Sequence, residues 1–359
     1  MHQRLVYIDI VKGLSILLLV GFHICGQIYH SEPMWFRILS YQGVPAFFLA
    51  SGFGLTNALR SKNSDAPPLL FWARWLSRRI WRIIPLYWLT LIITLAVYAS
   101  GTPALRITPL KGAAMTDFAL HALMLHVFFN ASFFSINVAW WFIGAIVYFY
   151  LAFPVLYGAL GHKKAGGAVF LLVIIAVFAL NAVSAKAQIL LSFLFFTTGV
   201  YLRTVSKNPL DLSFRYVVLV FLAGSAACAA LLYPLITPGY IPKAAHIYAY
   251  ALFSLSFVVS ACSLSEMVHL LKAPLFDWLE RGLRWFGRRS YAIFLIHWGF
   301  IYPVISRFDN KALGIVVYLA LITAVSWMLT MLDEKKDVFL KGLRGGGKLL
   351  LAEGKPGRD

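Results

Sequence analysis

The chain has 359 residues, of which 60% are hydrophobic and only 13% are charged, and its formal net charge is +18. A soluble domain of this size cannot bury so much apolar surface, so the composition excludes a soluble protein and predicts an all-α integral membrane protein. Because the basic residues gather in short stretches between apolar segments, they indicate membrane topology, and we expect no nucleic-acid partner.

About ten apolar segments are long enough to cross a bilayer in a window of about 20 residues. With the N-terminus in the cytoplasm, most of the 32 Lys and Arg residues fall on the inner side, as the positive-inside rule requires. The sequence therefore predicts about ten transmembrane helices with both termini cytoplasmic, over residues 1–335, followed by a basic flexible tail over 336–359. The predicted spans are 10–29, 40–59, 83–100, 139–158, 167–184, 187–204, 216–234, 247–268, 289–307 and 312–332, and the inner loops include 60–82 and 269–289.

The apolar stretch 117–129 is shorter than these spans, and we expect it to be interfacial or only partly inserted. It contains His121 and His126, which are five residues apart and so do not share one face of a helix. We therefore predict no metal site in this stretch.

Three ionisable residues, Asp9, Lys12 and His23, lie at the start of the chain and within the first span. The eleven steps from Lys12 to His23 amount to three turns and roughly 20°, so both side chains share one helix face, and Asp9 lies within about 40° of His23. Ionisable groups on a membrane helix are costly and are functional candidates by default. This face is the strongest functional signal in the first span.

Four motifs in this order resemble the pattern of acyltransferase family 3, and the resemblance covers roughly residues 1–335. One departure is Ile146, which stands where many members carry a glutamate, so the role of that acid is not expected here. The motifs are Lys12-x10-His23, Ser51-Gly52-Phe53, the pair Arg79/Arg82 before Pro85, and the run from Gly287 to Trp298 that contains Ser290, Tyr291 and His297.

The resemblance implies transfer of an acyl group, commonly acetyl, from acyl-CoA to a hydroxyl of a sugar, a glycan or a lipid-linked acceptor. We expect no metal cofactor, and the resemblance favours a multi-pass protein of the inner (plasma) membrane of a bacterium. The oligomeric state is open. A different class, a transporter of an anionic metabolite or a lipid-linked glycan, would use Lys12 and His23 to line a polar path.

Under this resemblance His23 is the general base, because a neutral imidazole can take the proton of an attacking hydroxyl. An acyl-histidine intermediate is the competing mechanism. Lys12 would anchor CoA or fix a polar network, with Asp9 orienting the lysine. The alternative is that Lys12 only pairs with Asp9 or extends to the interface.

The remaining motif residues have predicted binding roles. Arg79 and Arg82 share a face at i,i+3, and guanidinium groups suit the phosphates of CoA, although both arginines could be topology charges only. Ser51-Gly52-Phe53 would give a backbone break near the thioester, or merely a helix-packing site. Trp140 and Trp141 are predicted to stack on a sugar of the acceptor. Tyr291 and His297 are predicted either to contact the acceptor or to be core residues.

Overall fold

The computed structural model describes residues 6–29, 33–60, 68–99, 114–162, 164–183, 187–205, 214–237, 243–271 and 274–353. Every regular element in these ranges is helical, and α1 continues into a π-helix over Cys25–Tyr29. The α-helices are α1 (Val6–Ile24), α2 (Met34–Tyr41), α3 (Gly43–Arg60), α4 (Pro68–Ala99), α5 (Ala114–Ala122), α6 (Trp141–Leu160), α7 (Gly166–Val183), α8 (Ala187–Val205), α9 (Phe214–Ile236), α10 (Lys243–Leu271), α11 (Pro274–Ile305) and α12 (Lys311–Glu353).

Seven helical stretches of the described chain are long and apolar enough to cross a membrane. The all-helical, multi-pass prediction is thereby confirmed, whereas the count of about ten is not. Two of the other predicted spans, in α7 and α10, contain only shorter apolar stretches. The remaining predicted span, the second half of α11, is not among the seven, because polar residues interrupt its apolar sequence. The seven are Val6–Tyr29, Met34–Leu59, Leu70–Ala96, Val138–Leu160, Gln188–Val205, Val218–Ile236 and Lys311–Asp333.

Two segments predicted as inner loops are mostly helical. Helix α4 begins at Pro68, so most of the predicted loop 60–82 is its first half. Helix α11 begins at Pro274 and includes most of the predicted loop 269–289. The hydropathy window cuts both helices short because their first halves carry arginines, yet arginine is itself a good helix former. The arginines of both segments therefore lie on helices and not in loops.

Helix α12 also runs further than the apolar pattern indicates. It continues to Glu353 and so includes most of the tail that the sequence predicts to be flexible. Residues 354–359 of that tail lie outside the described residues.

Helices α1 and α11 pack face to face through two glycines. A Cβ on Gly13 would lie 2.0 Å from the carbonyl oxygen of Leu283, and a Cβ on Gly287 would lie 1.8 Å from that of Asp9. Only glycine allows backbones to approach so closely. Ten residues after Gly13 and Gly287, His23 of α1 lies opposite His297 of α11. The two helices therefore run parallel to each other.

Candidate active site

His23 lies in an aromatic pocket formed with α11. Its ring centroid is 5.2 Å from that of His297 and 4.8 Å from that of Trp298. The two histidines meet because each lies ten residues, or about 15 Å of helix, beyond the glycine through which its own helix packs. The sequence contains this signal as Gly-x9-His at Gly13 and again at Gly287, but without the helix pairing it has no meaning.

The hydrogen bonds of His297 leave one ring nitrogen available. Its Nδ1–H donates to the carbonyl oxygen of Phe294 at 2.8 Å, which fixes the neutral tautomer with Nε2 unprotonated. That Nε2 is buried, and no group of the described chain hydrogen-bonds to it. His297 is thus held in an orientation that suits a proton acceptor, although the sequence assigns it only a possible contact with substrate.

Two more buried polar atoms beside His23 lack hydrogen-bond partners within the described residues: the indole Nε1 of Trp298 and the amide Oε1 of Gln27. Gln27 lies in the π-helix that follows α1, and its Nε2 donates to the carbonyl oxygen of Trp298 at 3.3 Å. Buried polar groups are normally satisfied, and unsatisfied ones call for an explanation. This pocket combines a donor, Trp298 Nε1–H, with acceptors at Gln27 and His297, as binding of a polar reacting group requires.

The other end of α1 carries the predicted ionic groups. Asp9 is buried and forms an ion pair with Arg288 of α11, with Oδ2 and Nε 3.6 Å apart. The sequence predicted Lys12 as the group that Asp9 orients, whereas Arg288 lies in the predicted inner loop 269–289. Lys12 is partly buried one turn further along. Asp9 lies fourteen residues, or about 21 Å, from His23, so it does not contact the histidine directly.

The two arginines of α4 differ in their surroundings. Arg79 is partly buried and its guanidinium lies over the Trp75 ring, 5.7 Å from the centroid, whereas Arg82 is exposed. Both interact with Tyr150 of α6. The hydroxyl of Tyr291 donates to the carbonyl oxygen of Ile83 at 2.7 Å, next to Arg82. The structure thereby places the arginine motif of α4 beside the late motif of α11.

The Ser51-Gly52-Phe53 motif lies inside the continuous helix α3, so the predicted backbone break is absent. A Cβ on Gly52 would lie 2.1 Å from the carbonyl oxygen of Phe196 in α8, which identifies Gly52 as a close helix-packing position. Phe53 is buried, with its ring 5.9 Å from the guanidinium carbon of Arg203. Contact of this motif with CoA remains a prediction.

The two tryptophans predicted to stack on a sugar are core residues. Trp140 and Trp141 are 1% and 5% exposed, and the Trp140 Nε1–H donates to the carbonyl oxygen of Leu295 at 3.1 Å. The Trp140 ring packs against Tyr87 and His121. The Trp141 ring packs against Phe48 and Phe133, so neither ring is open to an acceptor. Ile146 of α6 is also buried, where an apolar side chain fits without a partner.

His121 and His126 stack on each other, contrary to the expectation from their spacing. Helix α5 ends at Ala122, and Met124 adopts a left-handed conformation (φ 61°) that turns the chain back. The rings are 3.9 Å apart and nearly parallel. Spacing could not predict this contact, because it assumes a continuous helix. Within the described residues no group of three His, Cys, Asp or Glu side chains could hold a metal ion.

Hydrogen bonds tie His121 to its neighbours in a buried network. Tyr87 lies 3.0 Å from Nδ1 and the Ser135 hydroxyl lies 3.2 Å from Nε2. Ser135 itself donates to the carbonyl oxygen of Ser132, so His121 donates from Nε2 and accepts from Tyr87. This segment is outside the seven spans, and burial lowers the pKa of His121 to about 2 and that of His126 to about 4. Both are neutral at physiological pH.

Comparison with known proteins gives one family. A family model described as an acyltransferase domain matches residues 5–331, which includes all four motifs. No curated protein and no solved structure matches the chain.

Proposed function

Since the chain belongs to acyltransferase family 3, we propose that it is a membrane O-acyltransferase that moves an acyl group, commonly acetyl, from acyl-CoA to a hydroxyl of a glycan or lipid-linked sugar. The observation that carries the proposal is the buried pocket around His23, His297 and Trp298, with its polar atoms that lack partners. Such a pocket offers both a base and an oxyanion donor, which acyl transfer needs.

The reaction follows from these groups. The His23 imidazole removes the proton of the acceptor hydroxyl as its oxygen attacks the thioester carbonyl carbon. Trp298 Nε1–H donates to the oxyanion of the tetrahedral intermediate. The C–S bond then breaks, and the departing CoA sulfur takes the proton from the imidazolium, so the ester, CoA and neutral histidine are the products.

His297 has a supporting role in this scheme. Its fixed tautomer offers Nε2 as an acceptor beside His23, so it orients His23 or the incoming hydroxyl. Two variations keep the same pocket: His297 itself removes the proton, or His23 first takes the acyl group as an acyl-histidine.

The donor enters from the opposite end of the bundle in this proposal. Arg79, Arg82 and Lys12 hold the CoA phosphates there, since guanidinium and ammonium groups bind phosphates well. The distance of about 21 Å along α1 then separates the Asp9 level from His23, which suits the extended arm that carries the thioester. We place this end in the cytoplasm, with about ten spans, both termini inside, in the inner membrane of a bacterium.

Replacement of His23 by alanine tests the proposal. We expect His23→Ala to lower acceptor-dependent CoA release from acetyl-CoA by about 10²–10⁴-fold, the usual contribution of a general base. His162→Ala is the control, because this histidine is exposed. Equal melting curves exclude misfolding as the cause. Full activity of His23→Ala refutes its role as base.

His297→Ala and quenched reactions separate the variations. If His297 only orients, its loss lowers the rate less than loss of His23. Acid-quenched protein carrying radioactive acetyl on His23 supports the acyl-histidine route. Substrate flux in vesicles that lack CoA, with no CoA release in any condition, favours a transporter instead.

A further inference from the structure

Three buried side chains outside α11 hydrogen-bond to the turn of α11 that carries His297. Each donates to a backbone carbonyl oxygen of that turn, and each comes from a different element. The pairs are Trp140 Nε1–H with Leu295 at 3.1 Å, the Tyr318 hydroxyl with His297 at 3.0 Å, and Gln27 Nε2–H with Trp298 at 3.3 Å. We call the three donors the α11 clamp.

The three carbonyls lie on different sides of the helix. Residues 295, 297 and 298 span about 4.5 Å of α11 and lie at about 0°, 200° and 300° around its axis. The donors of the clamp come from the 3₁₀-helix Val138–Trp140, from α12 and from the π-helix after α1. A rotation of α11, or a shift along its axis, would therefore lengthen at least one of the three hydrogen bonds.

The backbone hydrogen bonds of α11 are interrupted directly after this turn. Pro303 lies inside the helix and has no N–H, so the carbonyl of Gly299 receives no helical hydrogen bond from it. The proline ring also crowds that carbonyl, which bends or loosens a helix. The clamp therefore supports α11 where the helix has fewer hydrogen bonds of its own.

Tyr318 reaches His297 because α11 and α12 approach each other closely. A Cβ on Gly314 would lie 3.0 Å from the carbonyl oxygen of Ile305, so the two backbones are near each other there. Tyr318 follows Gly314 by four residues, about one turn, and so lies on nearly the same face of α12. Its side chain is fully buried, and its hydroxyl donates to the His297 carbonyl oxygen.

The His297 ring moves with the backbone that Tyr318 holds. Its Nδ1–H donates to the carbonyl oxygen of Phe294, one turn earlier in α11, so the ring does not turn independently of the helix. Side chains reach about 5–6 Å from a helix axis, so a rotation of about 10° displaces the ring by about 1 Å. A misplacement of that size can lower a rate by about 100-fold. The distance of 5.2 Å between the His297 and His23 rings therefore depends on the rotation of α11.

We propose that Tyr318 is a positioning residue for acyl transfer, whose hydroxyl fixes the rotation of α11 and thereby holds His297 against His23. Buried tyrosine hydroxyls generally find an acceptor, and here the acceptor is the backbone of a residue in the candidate active site. The proposal rests on the proposed function, because the role of His297 belongs to it. It adds a residue of α12 that none of the four motifs includes.

Tyr318→Phe tests the proposal through the loss of one hydroxyl, because the ring and its packing remain. The full chain in phosphatidylcholine nanodiscs is assayed with acetyl-CoA as donor and methyl glucoside as acceptor. We expect kcat and kcat/KM to fall by the same factor, about 10- to 100-fold, since the contact orients a reacting group and binds no substrate. Tyr248→Phe is the control and should keep the kinetics of the wild type, because Tyr248 is exposed on α10 and its ring contacts Phe178.

A double variant shows whether Tyr318 acts through His297. If it does, Tyr318→Phe combined with His297→Ala has the same kcat as His297→Ala alone, because the ring that the hydroxyl positions is gone. A contact that only stabilises the fold would lower kcat by the same factor with and without the His297 ring. Equal factors in the two backgrounds, or a wild-type kcat of Tyr318→Phe, overturn the proposal.

Hydrogen exchange measures the contact without turnover. By mass spectrometry in the same nanodiscs, the amides of residues 299–302 should exchange roughly 3- to 10-fold faster in Tyr318→Phe than in the wild type, the value of one hydrogen bond. The amides of α3 should keep their rates. Unchanged exchange at 299–302 also overturns the proposal.

The same variants separate this proposal from the proposed function. If His23→Ala is fully active while the other results hold, the assignment of His23 as the base fails and the positioning role of Tyr318 stands. If His23→Ala is inactive and His297→Ala has the kcat of the wild type, His297 needs no positioning and this proposal fails alone.

Discussion

Replacement of Gly287 by alanine is the sharpest test of how the fold positions the two histidines. Gly287 packs on the Asp9 backbone, and the Cβ of an alanine would lie 1.8 Å from the Asp9 carbonyl oxygen. The atoms in the way belong to the backbone, so no side-chain rotation relieves the contact. Helices α1 and α11 must move apart.

The size of this movement can be read from the contact. Carbon and oxygen atoms in close packing lie about 3.3 Å apart, so the helices must separate by about 1.5 Å. Ten residues further along, the same separation moves His23 away from His297. A misplacement of about 1 Å can lower a rate by about 10²-fold. We therefore expect kcat/KM to fall about 100-fold, with unfolding easier by about 1–3 kcal/mol, as for other overpacked contacts.

The assay is acetyl-CoA turnover with acceptor, together with thermal unfolding of the purified protein in detergent. Gly282→Ala is the matched control, since it lies on the same helix and a Cβ there meets nothing within 4 Å. That variant should keep its activity and gain up to about 1 kcal/mol from helix propensity. A folded Gly287→Ala protein with the turnover of the wild type refutes the link between this contact and the site.

Two other predictions concern stability. Gly52→Ala should lower the unfolding temperature, because its Cβ would lie 2.1 Å from the Phe196 carbonyl oxygen. Gly54→Ala is the control and should not lower it, because a Cβ there meets nothing within 4 Å. Equal unfolding temperatures for the two variants would contradict the packing role of Gly52. Burial lowers the pKa of His126 from 6.5 to about 4 in the folded protein. As the pH falls, the unfolded chain therefore binds the proton first. The contribution of His126 to the free energy of unfolding should be complete above about pH 6.5 and be lost as the pH falls toward 4. Unfolding between pH 7.5 and 5 should depend less on pH in His126→Gln, and an unchanged dependence contradicts this assignment.

Much of the membrane character could be predicted from the sequence because hydropathy acts over single segments. The first span and its ionisable face follow from composition and spacing, whereas the four motifs follow from the resemblance to acyltransferase family 3. The same window rule failed at the arginine-rich first halves of α4 and α11, because it measures insertion into lipid and not helix formation. Spacing also failed at His121 and His126, where a left-handed residue ends the helix.

Residue types and their spacing along one helix determined that His23 and Lys12 belong to one face of a membrane helix. The resemblance to an acyltransferase came from four motifs compared with the pattern of a known family. Only the tertiary structure decided what that face meets. It brought His297, Trp298 and Arg288 to α1, buried Trp140 and Trp141 in the core, and placed the Tyr318 hydroxyl on the backbone of His297. These contacts depend on which helices pair and at what height. For α1 and α11, the close approach of the backbones at Gly13 and Gly287 sets both.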